Sequence, residues 1–165
     1  MNPWHLHQAI RCIRAGGVIA YPTEAVWGLG CDPTNEESVQ RILELKSRPE
    51  HKGLVLVGSS LEQFKHLIRP LSADDLAKVN ATWPGPITWI LPCYDDVPTW
   101  LRGEHNSLAI RISAHPIVKS LCDAAGPLVS TSANPAGKEP ARSALKVRKY
   151  FPNGLNCLLP GALGG

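Results

Sequence analysis

Apolar positions along this chain recur with two different periods, which predicts strands interleaved with helices. Short apolar runs at 18–21, 54–57 and 128–130 have the length and residue types of buried strands. Between them, apolar residues three or four apart predict helices, the second of which begins at Thr34 or Asn35 as its N-cap. This order indicates an α/β fold with a twisted, at least partly parallel sheet.

The predicted strands at 87–91 and 107–112 indicate that the sheet is mixed. Trp89 and Ile110 have the proximity expected of a hairpin-like, antiparallel pair. The second strand carries Arg111 among apolar neighbours, and a cation there is costly unless it is paired. We therefore expect Arg111 to meet a carboxylate, either from the protein or from a ligand.

A basic loop follows the second predicted helix. Lys46, Arg48 and Lys52 lie within seven residues, between a helical pattern that ends near Leu45 and the apolar run at 54–57. A proline stops the helix and a glycine lets the backbone turn before the strand. Such a loop suits a multiply charged anion. Alternatively, the cations only stabilise the helix C-terminus or face solvent.

A second polar loop, at 130–134, favours the anion-binding interpretation. It also follows an apolar strand and offers hydrogen-bonding side chains without charge, which are those of Ser130, Thr131, Ser132 and Asn134. If the two loops face each other across one cleft, a triphosphate fits between them.

The segment 22–30 is predicted to be the loop that leaves the first strand. Thr23 and Glu24 come at the carboxyl end of that strand, where ligands bind in open α/β sheets. Thr23 is equally suited to stabilising the turn. Gly28 and Gly30 do not complete a dinucleotide fingerprint, so a Rossmann cofactor site is not expected.

Composition bounds the class of protein. The chain has 165 residues, 44% hydrophobic and 19% charged, which is typical of one globular domain with a real core. No apolar run has the ~20 residues of a membrane span. The five cysteines never occur as CxxC, which argues for reduced thiols, no zinc or other metal site, and a cytoplasmic location. A net charge of +3 is compatible with contact to RNA.

Four phrases carry a resemblance to a known family. They are YPTEAVWGLG at 21–30, ELKSRP at 44–49, WPGP at 83–86 and STSAN at 130–134. In this order and at these separations they resemble the YrdC/TsaC family of single-domain bacterial threonylcarbamoyl-AMP synthases. The KxR and SxN patterns, here Lys46/Arg48 and Ser132/Asn134, are the most specific part. The resemblance runs from about residue 16 to 165 and implies a YrdC-like single domain over 1–165 with an open concave cleft.

The resemblance implies an activity. Family members make L-threonylcarbamoyl-adenylate and pyrophosphate from L-threonine, bicarbonate and ATP, for the N6-threonylcarbamoyl modification of adenosine 37 in tRNA. Carbamate formed on the threonine amine attacks the α-phosphorus, so catalysis is positioning plus charge neutralisation. The implied partners are the three substrates, Mg²⁺, tRNA or double-stranded RNA, and downstream tRNA threonylcarbamoyl-transfer proteins.

The resemblance also assigns roles to residues. Lys46 and Arg48 are the implied catalytic cations at the phosphates. Thr23, Arg111 and Ser130 are assigned to the substrate threonine, with Arg111 pairing with its carboxylate. Nucleotide contacts are assigned to six residues: Lys46, Arg48, Lys52, Ser107, Ser132 and Asn134. Replacing Lys46 or Arg48 by Ala is expected to lower turnover strongly with little change in Tm.

Two further expectations follow. Family members usually continue past the terminal glycines with a segment that helps cover the nucleotide, so the resemblance implies a truncated C-terminal tail and weaker nucleotide binding. The competing interpretations are an RNA-binding module without catalysis, and an ATP-dependent carbamoyl-transfer relative, since this fold also occurs inside larger carbamoylating enzymes. Threonine-dependent release of pyrophosphate separates the first hypothesis from the module.

Overall fold

One mixed sheet of seven short strands organises the chain, of which the computed structural model describes residues 1–164. The strands are β1 (Ile19–Pro22), β2 (Trp27–Cys31), β3 (Val55–Gly58), β4 (Trp89–Pro92), β5 (Ser107–Ile112), β6 (Leu128–Ser132) and β7 (Cys157–Leu158). Their order in the sheet is β4-β5-β3-β6-β2-β1-β7. The predicted α/β fold with a mixed sheet is therefore confirmed.

Strand directions agree with the sequence pattern. The β3–β5 and β1–β7 pairs are parallel, and the other four pairs are antiparallel. Trp89 is the register partner of Ile110, as the hairpin-like proximity predicted. The parallel pairs need crossover connections, which the helices supply.

Six helices accompany the strands: α1 (Pro3–Arg14), α2 (Glu36–Lys46), α3 (Ala73–Thr82), α4 (Thr99–Arg102), α5 (Pro116–Ala125) and α6 (Ala144–Tyr150). Side-chain caps begin several of them. Asn2 accepts from the Trp4 amide at 2.9 Å, and Asn35, rather than Thr34, caps α2. These caps satisfy backbone N–H groups that the first helical turn leaves unpaired.

Some boundaries differ from the prediction. The segment predicted as a loop at 22–30 contains β2, because its backbone pairs with β1 on one side and β6 on the other. A 3₁₀ turn spans Leu61–Phe64, and the helix α4 was not expected. The predicted strand at 87–91 starts two residues later, at Trp89.

Core packing covers the two sheet faces unequally. The helices α1 and α5 pack with Ile19, Val57 and Leu128 on one face, while Leu56 and Ile110 belong to the core on the other. Along β5, residues 107, 109 and 111 are half-exposed and alternate with buried ones. These half-exposed residues lie on the first face, the face of Val57. That face is therefore left partly open, and the opening forms the cleft.

Within residues 1–164, no helix is both long enough and apolar enough to cross a lipid bilayer.

Candidate active site

The basic loop and the polar loop meet at Lys46. Its Nζ donates to the backbone oxygens of Ser132, at 2.5 Å, and of Asn134, at 2.9 Å. A longer contact of 3.4 Å reaches the Asn134 Oδ1. Two loops separated by more than 80 residues are thus held together by one ammonium group.

Local backbone geometry delivers Lys46 to this position. It is the last residue of α2, and Ser47 follows in the left-handed conformation with φ of 50°. The amide of Arg48 then donates to the Leu43 carbonyl at 2.9 Å, which closes the end of the helix. The turn separates the directions of the two cations, so Lys46 is buried and Arg48 stays half-exposed.

Burial changes the acid–base behaviour of Lys46, which is 6% exposed. Removal from water lowers the pKa of its ammonium to about 8, and the nearby positive charge of Arg48 acts in the same direction. A buried cation tolerates this position because three oxygens accept its hydrogen bonds.

The side-chain donors of the polar loop form hydrogen bonds to acceptors within or next to the same loop. The Ser132 hydroxyl donates to Asn134 Oδ1 at 2.6 Å, and the Asn134 amide donates to the Pro135 carbonyl at 3.2 Å. The resemblance assigned both residues to donate to a nucleotide. In the structure these bonds shape the loop, and both residues still line the cleft.

Two adjoining cavities of about 280 Å³ each form the cleft. The first lies between the loops and is lined by Lys46, Arg48, Lys52, Ser132 and Asn134 among others. Arg48 and Lys52 also line the second, which extends over the open sheet face to Ser107 and Ala109. Five of the six residues assigned to the nucleotide thus surround one cavity, and Ser107 belongs to its neighbour.

Arg48 is fixed at the boundary between the cavities. Its Nε and Nη2 donate to the Gly53 carbonyl at 3.2 and 3.0 Å. This bond spans the basic loop, so the guanidinium and Lys52 keep their places along the cleft. An anion entering either cavity therefore meets both positive charges.

Arg111 has no partner within the described chain. Its Nε is buried without a hydrogen bond, and none of the ion pairs formed by residues 1–164 includes it. The carboxylate that Arg111 was expected to meet is not supplied by residues 1–164. A buried donor of this kind is costly unless a ligand satisfies it.

Ser130 is paired with a residue that the sequence analysis did not select. The hydroxyl of the fully buried Tyr21 donates to Ser130 Oγ at 2.8 Å. Burial raises the pKa of Tyr21 above its usual range, against the opposing influences of the hydrogen bond with Ser130 and of Arg111, so the phenol stays protonated. A polar aromatic residue ending a buried strand was the available signal for this contact.

Thr23 stabilises its turn, and it is not among the residues that line the two cavities. Its hydroxyl donates to the Val26 carbonyl at 2.7 Å, the alternative considered for this residue. The adjacent Glu24 accepts from the Ser113 hydroxyl at 2.5 Å and from the Ala114 amide at 3.2 Å. The loop after β1 is thereby tied to the segment that follows β5.

A resident Mg²⁺ does not fit the residues of the cleft. Among residues 1–164, no group of three or more His, Cys, Asp or Glu side chains is placed to hold a metal ion. The cavity walls instead carry Lys46, Arg48 and Lys52.

Fold and cleft together define an α/β protein whose cleft lies between a cationic loop and a hydroxyl-bearing loop. The chain belongs to the Sua5/YciO/YrdC family, since the family model described as "Telomere recombination" matches residues 11–164.

Relatives in sequence share a name. A protein of Stutzerimonas stutzeri named threonylcarbamoyl-AMP synthase is 54% identical over 165 residues, which are 100% of this chain and 89% of that protein. One of Marinobacter nauticus with the same name is 55% identical over 159 residues, or 95% of this chain and 84% of the relative.

Solved structures share the fold. P. abyssi Sua5 in complex with L-threonine superposes with a TM-score of 0.92 at 33% identity, over 99% of this chain and 48% of that one. The chain therefore spans about half the length of this relative. E. coli YciO superposes with a TM-score of 0.86 at 25% identity, over 99% of this chain and 82% of that one.

Proposed function

We propose that this protein is an L-threonylcarbamoyladenylate synthase, a nucleotidyltransferase that supplies the N6-threonylcarbamoyl group of adenosine 37 in tRNA. The observation that carries the proposal is the contact of Lys46 with both Ser132 and Asn134, which makes one cationic cleft from two distant loops. The name shared by the relatives supports the same reaction.

The proposed reaction has two steps. The amine of L-threonine combines with bicarbonate to give a carbamate and water. A carbamate oxygen then attacks the α-phosphorus of ATP, the bond from that phosphorus to the bridging oxygen breaks, and pyrophosphate leaves. Neither step needs a covalent bond to the enzyme, so the protein acts by positioning and by neutralising charge.

The cations of the cleft take the phosphates in this proposal. Arg48 and Lys52 line both cavities and bind the triphosphate, and Ser107 lies where the nucleotide extends over the sheet. Lys46 contributes its positive charge from the buried wall while it holds Ser132 and Asn134 in place. Mg²⁺ arrives with ATP.

The substrate threonine is assigned to the neighbouring part of the sheet. The unpartnered Nε of Arg111 suits the threonine carboxylate, with which it forms a charge-assisted hydrogen bond. Ser130 and Thr23 are the other proposed substrate contacts. A P. abyssi relative described in complex with L-threonine supports this ligand.

We further propose that residues 1–165 act as one catalytic domain in the cytoplasm. Its product passes to downstream tRNA threonylcarbamoyl-transfer proteins, and tRNA or double-stranded RNA is a proposed contact of the same cleft. The relatives favour the synthase over an RNA-binding module without catalysis.

A pyrophosphate assay tests the function. The protein should convert ATP to pyrophosphate and a threonine-containing adenylate when L-threonine and bicarbonate are present and RNA is absent. Labelled threonine identifies the product directly. Omission of bicarbonate is the control, because ATP hydrolysis by a contaminant does not depend on it. Pyrophosphate that forms equally without threonine or bicarbonate contradicts the proposal.

A further inference from the structure

Packing gives a reason for the two glycines of β2, and this reason is independent of any dinucleotide site. Gly28 and Gly30 point to the sheet face on which the ring of Tyr21 lies. A Cβ on Gly30 would be 2.7 Å from Tyr21 Cε1 and 3.0 Å from its hydroxyl oxygen, and one on Gly28 would be 3.4 Å from the same ring. The ring therefore occupies the space that a side chain at Gly30 would fill, and it lies within contact distance of a Cβ at Gly28.

The strand register explains how the ring of Tyr21 reaches Ser130. Tyr21 pairs with Gly28 of the neighbouring strand, and Gly30 pairs with Ser130 of the strand beyond. Neighbouring strands are about 4.8 Å apart, so Tyr21 and Ser130 are separated by roughly two such spacings. The phenol crosses the bare backbone of β2 and places its hydroxyl 2.8 Å from Ser130 Oγ.

The hydrogen bond sets the direction of the Ser130 proton. The phenol is the more acidic of the two hydroxyls, so it donates and the serine accepts. Ser130 is 5% exposed, and its own hydroxyl proton finds no acceptor within the described chain. With one lone pair taken by Tyr21, that proton is turned away from the phenol.

A second unsatisfied donor lies on the same face. Arg111 pairs in register with Val57, and Val57 pairs with Leu128, two residues before Ser130. Register partners and alternate residues of a strand share a face, so Arg111 and Ser130 project to the same side. Each brings a donor that no described residue accepts, the guanidinium Nε and the hydroxyl proton.

We propose that Tyr21 is a positioning residue, which directs the Ser130 hydroxyl proton toward the substrate carboxylate that Arg111 binds. The inference rests on the proposed function, because it refines how L-threonine is held there. It assigns a role to Tyr21, and it makes Gly28 and Gly30 the positions that let Tyr21 reach Ser130.

A double-mutant cycle tests the inference. Tyr21→Phe removes one oxygen and keeps the ring, so KM for L-threonine should rise roughly fivefold to tenfold, the range of one lost hydrogen bond. Both kcat and KM for ATP should stay within about twofold of wild type. Ser130→Ala should raise the threonine KM further, and the double variant should match Ser130→Ala, because Tyr21 acts through Ser130.

Two comparisons separate positioning from general structure. Tyr150→Phe is the control, since its hydroxyl also donates to one acceptor, the Glu139 carbonyl at 2.9 Å, away from the cleft; its kinetics should match wild type. L-threoninol, which lacks the carboxylate, should bind wild type and Tyr21→Phe equally. An unchanged threonine KM in Tyr21→Phe, or effects that add in the double variant, overturn the inference.

A spectroscopic measurement keeps the test independent of the Tyr21 variant and of turnover. The chain has three tyrosines, so 3-fluorotyrosine labelling gives three ¹⁹F resonances. The Tyr94→Phe and Tyr150→Phe variants assign the Tyr21 signal by elimination. Saturating L-threonine should shift that signal, and a Tyr21 signal that stays unchanged overturns the inference. Threonine binding without pyrophosphate formation would reject the proposed synthase while leaving Tyr21 testable.

Discussion

Lys46 and Arg48 are two residues apart, yet the structure gives them different roles. Lys46 is buried and bonded to three oxygens, whereas Arg48 makes one shared contact and faces both cavities. The sequence pattern does not distinguish the two cations, and from it little change in Tm was expected for replacing either. With the structure, a small change in Tm is expected only for the replacement of Arg48.

At this scale the first prediction concerns stability. Lys46→Ala should destabilise the fold by about 1–3 kcal/mol, because it leaves buried carbonyl oxygens without a donor. Since each kcal/mol shifts Tm by roughly 2–4 °C in a chain of this size, a loss of several degrees is expected. Arg48→Ala should keep its Tm within about 2 °C while pyrophosphate release falls at least tenfold. Differential scanning calorimetry and the pyrophosphate assay measure both; equal Tm losses would contradict the distinction.

The second prediction concerns protonation of Lys46. Its pKa is lowered to about 8 by burial and by Arg48, so between pH 8 and 10.5 the unfolded chain binds this proton more tightly than the folded one. The free energy of unfolding therefore rises with pH through that window, and this increment is lost as pH falls back through 8. In a ¹³C NMR titration of the lysine side chains, one resonance should titrate near pH 8.

Substitution of Arg48 supplies the control for that titration. Arg48→Met removes the positive neighbour and should move the same resonance toward higher pH. A spectrum in which every lysine titrates above pH 10 would contradict the assigned burial of Lys46.

At the scale of elements, the basic loop depends on α4 for its shape. The amide of Glu104 donates to the His51 carbonyl at 3.1 Å, and that of Leu54 to the Leu101 carbonyl at 3.0 Å. Gly103 makes the close approach possible, because a Cβ there would be 2.2 Å from the His51 oxygen. The short helix that the sequence did not predict is thus the support of the cationic loop.

A third prediction uses two glycines that both have positive φ. Gly103 and Gly137 have φ of 62° and 75°, but a Cβ on Gly137 meets nothing within 4 Å. Gly137→Ala should cost about 1 kcal/mol for the positive φ alone, and Gly103→Ala clearly more. Urea unfolding measures both costs. ATP affinity should fall in Gly103→Ala alone, and similar values for the two variants would argue against docking of the loop on α4.

The elements show which features a sequence pattern reveals. Helix starts were accessible because capping is local, as at Asn2 and Asn35, whose side chains bond amides two or three residues away. The strand β2 was missed because Gly28 and Gly30 are poor strand formers. Their presence there is explained by the ring of Tyr21, a tertiary contact that periodicity does not record.

The candidate site likewise contains one contact that the motifs predicted and one that they did not. Pairing of the KxR and SxN loops followed from their motifs, and the contact of Lys46 with Ser132 and Asn134 agrees with it. The hydrogen bond from Tyr21 to Ser130 joins residues 109 positions apart through the register of three strands, which sequence spacing does not encode.

At the scale of the whole molecule, positive charge is concentrated in one surface segment. Residues 136–150 carry five cations and one acid, a net charge of +4, while the other 150 residues carry twelve cations and thirteen acids, a net charge of −1. All five of these cations are exposed, and none forms an ion pair with a described residue. The basic pI of the chain therefore results from the charge of α6 and of the connector before it, residues 136–143.

A fourth prediction follows from this asymmetry. The triple variant Lys146→Ser, Arg148→Ser, Lys149→Ser should elute from heparin at clearly lower salt than wild type, because clustered cations dominate binding to a polyanion. Its control removes the same charge from Lys65, Lys78 and Lys119, each of which is paired with a carboxylate. The control should shift less, and pyrophosphate release should be unchanged in the first variant. Equal shifts would show that net charge alone governs retention.

The pairing of β7 with β1 has a consequence for synthesis on the ribosome. Ile19 and Ala20 have Cys157 and Leu158 as their parallel partners, and the backbone on either side adds bonds from Asn156 to Val18 and from Leu159 to Ala20. A nascent chain exposes this edge of β1 until β7 has been synthesised, with its amides available to other polypeptides. Completion of the sheet therefore waits for a strand that follows β1 by more than a hundred residues.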